Sequence, residues 1–417
     1  MADRVNNFRA RVSALPWWLK TILVWAATRV VSTVGFLVAA ATQGPSYWYP
    51  FSSPSYFDYL NIWDVTWFEK ISKIGSGPGT GYPFVLPLNE FGGVMQNPWA
   101  FMPGFPFLVR GISFLTGDLV PWKFLAPTTN LILSFALAIA IYKVFNVKFD
   151  TGTSLWGVAI FGLWCASPVL QAGYAESLGL LLLACSLYFL LLHRYLATLP
   201  FLIVLSVTRP GMIAFALALA GIWVVRYVQD HRAKTTNSPG KEFPIAERWK
   251  LIALIAVSGF LGLLWPIIAW IATGRIDAYT ATELAWRSHD PHAQLQLMSG
   301  VLGAFASACG PILGPVLLAL ALAAGAWLMF TPSVKHLGYE LRLWVGAYLF
   351  YLLLVLYPQS STFRILMPAF PLAAALALKS RNWPIWLKAL LVGVLIMFQF
   401  VWLAICWVYV EPDFTPP

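Results

Sequence analysis

Residues 61–106 read NIWDVTWFEKISKIGSGPGTGYPFVLPLNEFGGVMQNPWAFMPGFP. This is the longest polar interval between the first two membrane-length apolar runs, Trp17 to Thr42 and about Phe124 to Ile141. A polar segment between two such runs is a loop outside the bilayer, and runs of ~20 apolar residues imply spanning helices. The segment carries three carboxylates, Asp64, Glu69 and Glu90. It opens with an aromatic helical pattern, turns irregular over the Gly/Pro-rich piece Gly75 to Pro87, and closes on Trp99 to Phe107. Trp63 and Trp67 are four residues apart and share one face of such a helix, whereas Asp64, Phe68 and Ile71 share another. Glu69 lies five residues beyond Asp64 and points elsewhere, so the two acids do not form a close dyad on one helix.

Composition extends this reading to the whole chain. Of 417 residues, 59% are hydrophobic and 11% charged, and the mean hydropathy is +0.72. A soluble domain is nearer a quarter charged. The chain reads as an all-α polytopic membrane protein, one membrane domain over 1–417 with about eleven crossings. The net charge of +10 is a topology signal rather than a nucleic-acid footprint. Most of the 27 Lys and Arg fall in segments read as cytoplasmic, and most of the 17 acids fall in segments read as outer. Cys165, Cys185, Cys309 and Cys406 lie in or beside apolar runs without a CxxC pair and read as small buried thiols. The first apolar run has no small-residue cleavage site and reads as a retained anchor.

Arg4, Arg9, Arg11 and Lys20 place the N-terminus inside. Arg29, in the middle of the first span, faces the bundle interior or a water-filled cavity, or else snorkels to an interface. The first outer loop is 43–121 and bears short interfacial helices. Span three covers about Leu155 to Leu170, followed by a short outer turn with Glu176. The run Leu199 to Val225 is interrupted at Thr208-Arg209-Pro210-Gly211, the signature of a broken helix or tight turn beside a polar cavity. Loop 226–250 is cytoplasmic, and loop 274–296 is the second large outer loop. The apolar region up to Phe330 is too long for one span. The last two spans end at about Lys379 and at the C-terminal region. Asp150, Glu242, Glu247 and Glu340 read as solvated inner carboxylates.

Several outer residues have the chemistry of a site. Asp64 is either a general base for an acceptor hydroxyl or a helix cap. Arg209, Arg287 and Arg364, with His289, either hold an anionic group through paired donors or pair locally, as Glu283 does one turn before Arg287. His289-Asp290-His292 is a conceivable divalent-metal cluster but lacks the spacing of an established site, so no metal and no cofactor is assigned.

Trp63-Asp64-Val65-Thr66-Trp67-Phe68, Ile71 and Gly75, followed by Ala100-Phe101-Met102-Pro103-Gly104-Phe105-Pro106, resemble the PIG-V mannosyltransferase family (GPI mannosyltransferase 2-like). Its pattern is roughly WDxxYFxxIAxxGY and then AFFPGFPL. Gly173-Tyr174-Ala175-Glu176-Ser177 is similar to the family's YAES, Val207-Thr208-Arg209-Pro210-Gly211 to ATRxNG, and Phe363-Arg364-Ile365-Leu366-Met367-Pro368 to its closing RxLLP-like motif. Ser72 stands where alanine is usual, and the spacer before Ala100 is longer. The segment AYTATELAWRS and the modest length resemble actinobacterial members, whose acceptor is not GPI.

The resemblance implies a GT-C fold. It implies mannose transfer from polyprenyl-phosphate-mannose to a lipid-linked or cell-envelope glycan on the extracytoplasmic side, by inverting single displacement. Asp64 maps onto the family's catalytic aspartate. Trp63, Glu69, Glu176, Arg209, Arg287, His289 and Arg364 are then the expected substrate contacts. The implied location is the bacterial plasma membrane, or the endoplasmic reticulum if the source is eukaryotic. The alternative from another class is a transporter or flippase of a lipid or glycolipid, where broken helices and buried charges also occur.

The charge pattern predicts N-terminus in, C-terminus out, and loops 43–121 and 274–296 outside. Single cysteines in these loops should react with an impermeant maleimide in intact cells. Reaction at 274–296 only after permeabilisation would refute the topology.

Overall fold

A computed structural model describes residues 14–236, 242–287, 294–410 and 415–417. The described residues are helical, with one isolated bridge between Leu88 and Val94 and no strand. In chain order the helices are α1 (Trp17–Thr42), α2 (Tyr56–Tyr59), α3 (Asp64–Ser72), α4 (Gly104–Leu115), α5 (Trp122–Asn146), α6 (Thr151–Gly162), α7 (Glu176–Leu191), α8 (Tyr195–Ser206) and α9 (Met212–Thr235). They continue as α10 (Ile245–Thr273), α11 (Ala278–Leu284), α12 (Ser299–Cys309), α13 (Leu313–Leu328), α14 (Pro332–Lys335), α15 (Gly338–Val355), α16 (Thr362–Ile365), α17 (Pro371–Ser380) and α18 (Ile385–Cys406).

Six helices, α1, α5, α9, α10, α15 and α18, have the length and apolar composition to cross a bilayer, and the chain is an integral membrane protein. The remaining apolar sequence is cut into shorter helices, so the crossings expected from hydropathy are not all single helices. The span expected over 155–170 is one such case. Helix α6 stops at Gly162, and Ser167–Gln171 resumes as a 3-10 turn with Pro168 at its start. Arg29 explains why this break is stable. Its guanidinium donates to the Ser167 carbonyl at 2.7 Å, the Gly162 carbonyl at 2.7 Å and Ser167 Oγ at 3.1 Å, and lies 4.6 Å from the Trp25 ring centre. Arg29 is 4% exposed, so of the two readings the interior one holds. In a medium without water, freed carbonyls need such a donor.

The interruption between α8 and α9 falls where the sequence placed it. Thr208 Oγ1 donates back to the Val204 carbonyl at 2.7 Å, and Gly211 adopts φ +132°, a conformation that glycine tolerates and other residues rarely adopt. The long apolar region before Phe330 is a helical pair, α12 and α13, joined at Gly310. Two inner expectations change. Glu340 is 4% exposed and faces Lys148 at 3.7 Å rather than solvent, and Cys309 is exposed rather than buried.

Side-chain contacts sort the helix ends into two groups. At one end, Trp17 stacks on Tyr142, Arg226 forks onto Glu247 at 2.6 and 2.8 Å, and Asp230 accepts from Arg248 at 2.8 Å. At the other end the close of α1 meets the close of α18, with Gln43 Nε2 donating to the Tyr409 carbonyl at 2.9 Å. The first loop folds over this second end. Trp99, Met102 and Leu86 form a small apolar cluster with Trp265 and Ala269 of α10 and Ala278 of α11.

Replacing Arg29 by Leu removes the donor and orphans the buried Ser167 carbonyl. The expected loss is about 1–3 kcal/mol of stability, with partial recovery in Arg29→Lys, measured as thermal unfolding in detergent. An unchanged melting temperature for Arg29→Leu would show that the break does not depend on it.

Candidate active site

Helix α3 begins under strain. Trp63, its N-cap, has φ 60° and ψ −126°, an outlying conformation for a bulky residue that costs roughly 1–3 kcal/mol. Packing over-determines it. Trp63 is 6% exposed, its Nε1 donates to the Cys406 carbonyl at 3.0 Å, and its ring lies 5.4 Å from Trp48 and 6.0 Å from Tyr409. Val65, Phe68 and Ile71 fill the core. Trp63, Thr66, Trp67 and Lys70, spaced as one helical face, line a cavity of about 1020 Å³. Asp64 stands at the boundary of the two faces, 16% exposed by side chain.

Asp64 does not cap its helix. Its Oδ2 accepts from Arg364 Nη1 at 2.7 Å. The same Nη1 reaches Glu176 Oε1 at 3.0 Å, and Arg209 Nη2 meets that oxygen at 3.0 Å. Four residues from α3, α16, α7 and the α8–α9 break thus form one alternating chain, Asp64, Arg364, Glu176, Arg209. Both acids sit in the first turn of a helix, where the backbone dipole favours negative charge. Glu176 is 3% and Arg364 8% exposed, and the Arg364 guanidinium lies 5.1 Å from the ring centre of Tyr174. Arg209 is the more open cation, 27% exposed, its stem running over Gly179 with no space for a β-carbon there.

The remaining walls are aromatic and basic. Trp67 stacks on Phe101 at 5.8 Å and meets Trp286 edge-on at 5.8 Å, with Lys70 Nζ 4.4 Å from the Trp67 ring centre. Arg287 lines the same cavity, donating to the Val355 carbonyl at 3.1 Å beside the Tyr357 ring. Two anchors hold the first loop here. Asn97 Nδ2 donates to Thr282 Oγ1 at 2.9 Å, and Trp265 Nε1 donates to the Trp99 carbonyl at 2.9 Å. A third contact is closer still. Gly104 N–H donates to the Val207 carbonyl at 2.7 Å, and a β-carbon on Gly104 would lie 2.3 Å from Thr208 Oγ1.

Of the residues singled out in sequence, Trp63, Asp64, Glu176, Arg209, Arg287 and Arg364 line this one cavity. Glu69 does not. It turns outward and pairs with Lys73 at 2.6 Å in an exposed i,i+4 bridge. His289, with Asp290 and His292, lies outside the described residues. Among the described residues no group of three His, Cys, Asp or Glu is placed to hold a metal ion. The cavity adds Glu283, Tyr279, Tyr348 and Tyr351. Glu283 had a visible signal, its position four residues before Arg287 in the loop 274–296, but that spacing pointed to local pairing. Loss of water around it pushes its carboxyl up to about 7; Arg287, the Tyr279 hydroxyl and Arg209 hold the rise back, and Asp64 adds to it.

Removing Arg364 leaves two carboxylates facing each other with little solvent. Arg364→Met is expected to cost about 3–5 kcal/mol in thermal unfolding, and adding Glu176→Gln to that variant should restore part of it. Strict additivity of the two changes would show that the chain of charges is not one unit.

No protein-family model matches the chain, and no curated protein does. Among solved structures it is similar to an Archaeoglobus fulgidus oligosaccharyltransferase tethered to an acceptor peptide containing the NVT sequon, with 10% identity and a TM-score of 0.42. The match covers 92% of this chain and 55% of that one, so the chain spans about half the length of that protein.

Proposed function

We propose that this protein is a membrane glycosyltransferase of the GT-C kind. In this reading it moves mannose from polyprenyl-phosphate-mannose to a hydroxyl of a glycolipid or cell-envelope glycan on the extracytoplasmic side of a bacterial plasma membrane. The observation that carries it is Asp64, held by Arg364 at 2.7 Å on the wall of a roughly 1020 Å³ cavity that also presents Arg209 and Arg287. The motif resemblance to the PIG-V-type mannosyltransferases supports the choice of sugar and donor, and the broken α8–α9 segment that carries Arg209 falls within it.

The step is a single displacement. The acceptor oxygen attacks C1 of the mannose and forms the new glycosidic bond. The bond from C1 to the phosphate oxygen breaks, its electron pair leaving with polyprenyl phosphate. Asp64 takes the acceptor's proton. A sugar hydroxyl is a poor nucleophile at neutral pH, and a positioned base contributes about 10²–10⁴-fold. Arg364 fixes Oδ2, so Oδ1 is the oxygen that meets the acceptor. Arg209 and Arg287 face the phosphate as it gains charge. Trp67, Phe101 and Trp286 offer apolar faces against which a sugar ring packs. Glu176 acts through Arg364 and Arg209 as a positioning residue. The step balances without a cofactor.

Membranes carrying the protein should transfer label from polyprenyl-phosphate-mannose to a glycolipid fraction. Asp64→Asn should lower turnover by roughly 10²–10⁴-fold while donor binding persists. Glu69→Gln, on the exposed face, should leave turnover unchanged. Near-normal turnover in Asp64→Asn would sink the assignment of the base. Movement of labelled lipid across vesicles without transfer would favour the transporter alternative.

A further inference from the structure

The cavity holds three carboxylates in two kinds of surroundings. Asp64 and Glu176 are each bound by arginine at 3.0 Å or less. Among the described residues no cation lies within ion-pairing distance of Glu283. The groups that face Glu283 come from four elements. Tyr279 and Arg287 are on or just after its own helix, Asp64 is on α3, Arg209 is in the α8–α9 break and Tyr351 is on α15. The chain Asp64, Arg364, Glu176, Arg209 is charge-balanced within itself. With Lys70 and Arg287 added, the lining carries a net surplus of two positive charges, and an ionised Glu283 cancels one of them.

Resting on the reading of this cavity as a site for a lipid-phosphate-sugar, we propose that Glu283 in its protonated form donates a hydrogen bond to the donor's phosphate between Arg209 and Arg287, so that the donor is taken up only with a proton on Glu283. A phosphodiester is a monoanion and has only acceptor oxygens. An ionised carboxylate beside it repels it and offers no hydrogen, whereas a neutral carboxylic acid supplies a donor and removes the repulsion. Proteins do keep a carboxyl neutral for this purpose by enclosing it. Glu283 is half-buried on the cavity wall, and the loss of water around it brings its carboxyl up to about 7, so the proton is largely bound below that pH and lost above it. Donor affinity therefore falls as pH rises through neutrality, a direction opposite to that set by an acid that must ionise. Glu283 makes no covalent step. It is a binding residue for the phosphate, separate from Asp64, the base.

The test uses the full-length protein in lipid nanodiscs and a short-chain polyprenyl-phosphate-mannose, whose diester charge stays constant across neutral pH. Binding is read by tryptophan fluorescence, with Trp67 and Trp286 on the cavity wall. Between about pH 6 and pH 8 the wild-type Kd should rise about tenfold, because only the protonated fraction binds. Glu283→Gln, neutral and still a donor, should bind tightly at both pH values and tighter than wild type at the higher one. Glu283→Leu, neutral without a donor, should bind weakly at both, again without a slope. A phosphate-free prenyl mannoside should bind wild type without a slope. A slope that survives in Glu283→Gln and Glu283→Leu, or a flat wild-type profile, overturns the inference. Mannose transfer with pH-flat donor binding sinks this inference alone, whereas the expected binding pattern without mannose transfer upholds it and sinks the proposed reaction.

Discussion

One guanidinium, Arg364, holds two helix starts together. Asp64 opens α3 and Glu176 opens α7, and these residues are 112 positions apart in sequence. Two carboxylates brought this close with little water between them repel strongly, since effective screening in a protein interior is far weaker than in solution. Arg364 reverses the sign of that contact, and Arg209 completes the compensation on the far side of Glu176. One alternating row of charges thus links the start of α3, the start of α7, the turn that carries Arg364 and the α8–α9 break. The cavity is the space that this row leaves on its open side.

The row also divides labour among residues of the same type. Arg364 is consumed by its two carboxylates, and Arg209 and Arg287 are the cations with room for an external anion. Trp63 contributes by shape. Its strained backbone sets the first turn of α3, and its indole is tied to the end of the last long helix.

The sequence was most informative where a property is local. Apolar runs located α1, α5 and α18, and the Thr208–Gly211 break was legible because proline and glycine act on their own neighbours. The helical spacing of Glu69 from Asp64 separates the two acids, but nothing local shows that Glu69 prefers its tie to Lys73 over the cavity. The break after Gly162 was hidden for the opposite reason. Its stabilising donor, Arg29, comes from a helix more than a hundred residues away. Glu283 was hidden in the same way, since its surroundings are assembled from α3, α15 and the α8–α9 break rather than from Arg287 alone. Glu340, expected in solvent, is enclosed by a tertiary fold that charge patterning does not encode.

The contact between Gly104 and Val207–Thr208 leaves no slack. A hydrogen bond at 2.7 Å and the absence of space for one methyl group fuse the loop that closes on Phe101 to the segment that carries Arg209. Asn97 and Trp99 fasten the same loop to α11 and α10. The first loop, the α8–α9 break, α10 and α11 are therefore tied directly to one another around the cavity. Such a chamber acts as a mould rather than a clasp: little chain has to be ordered when a guest arrives, and more of the contact energy appears as affinity. Discrimination between guests then rests on how well each fills a shape already cut, and it shows in how long each stays rather than in how often each enters.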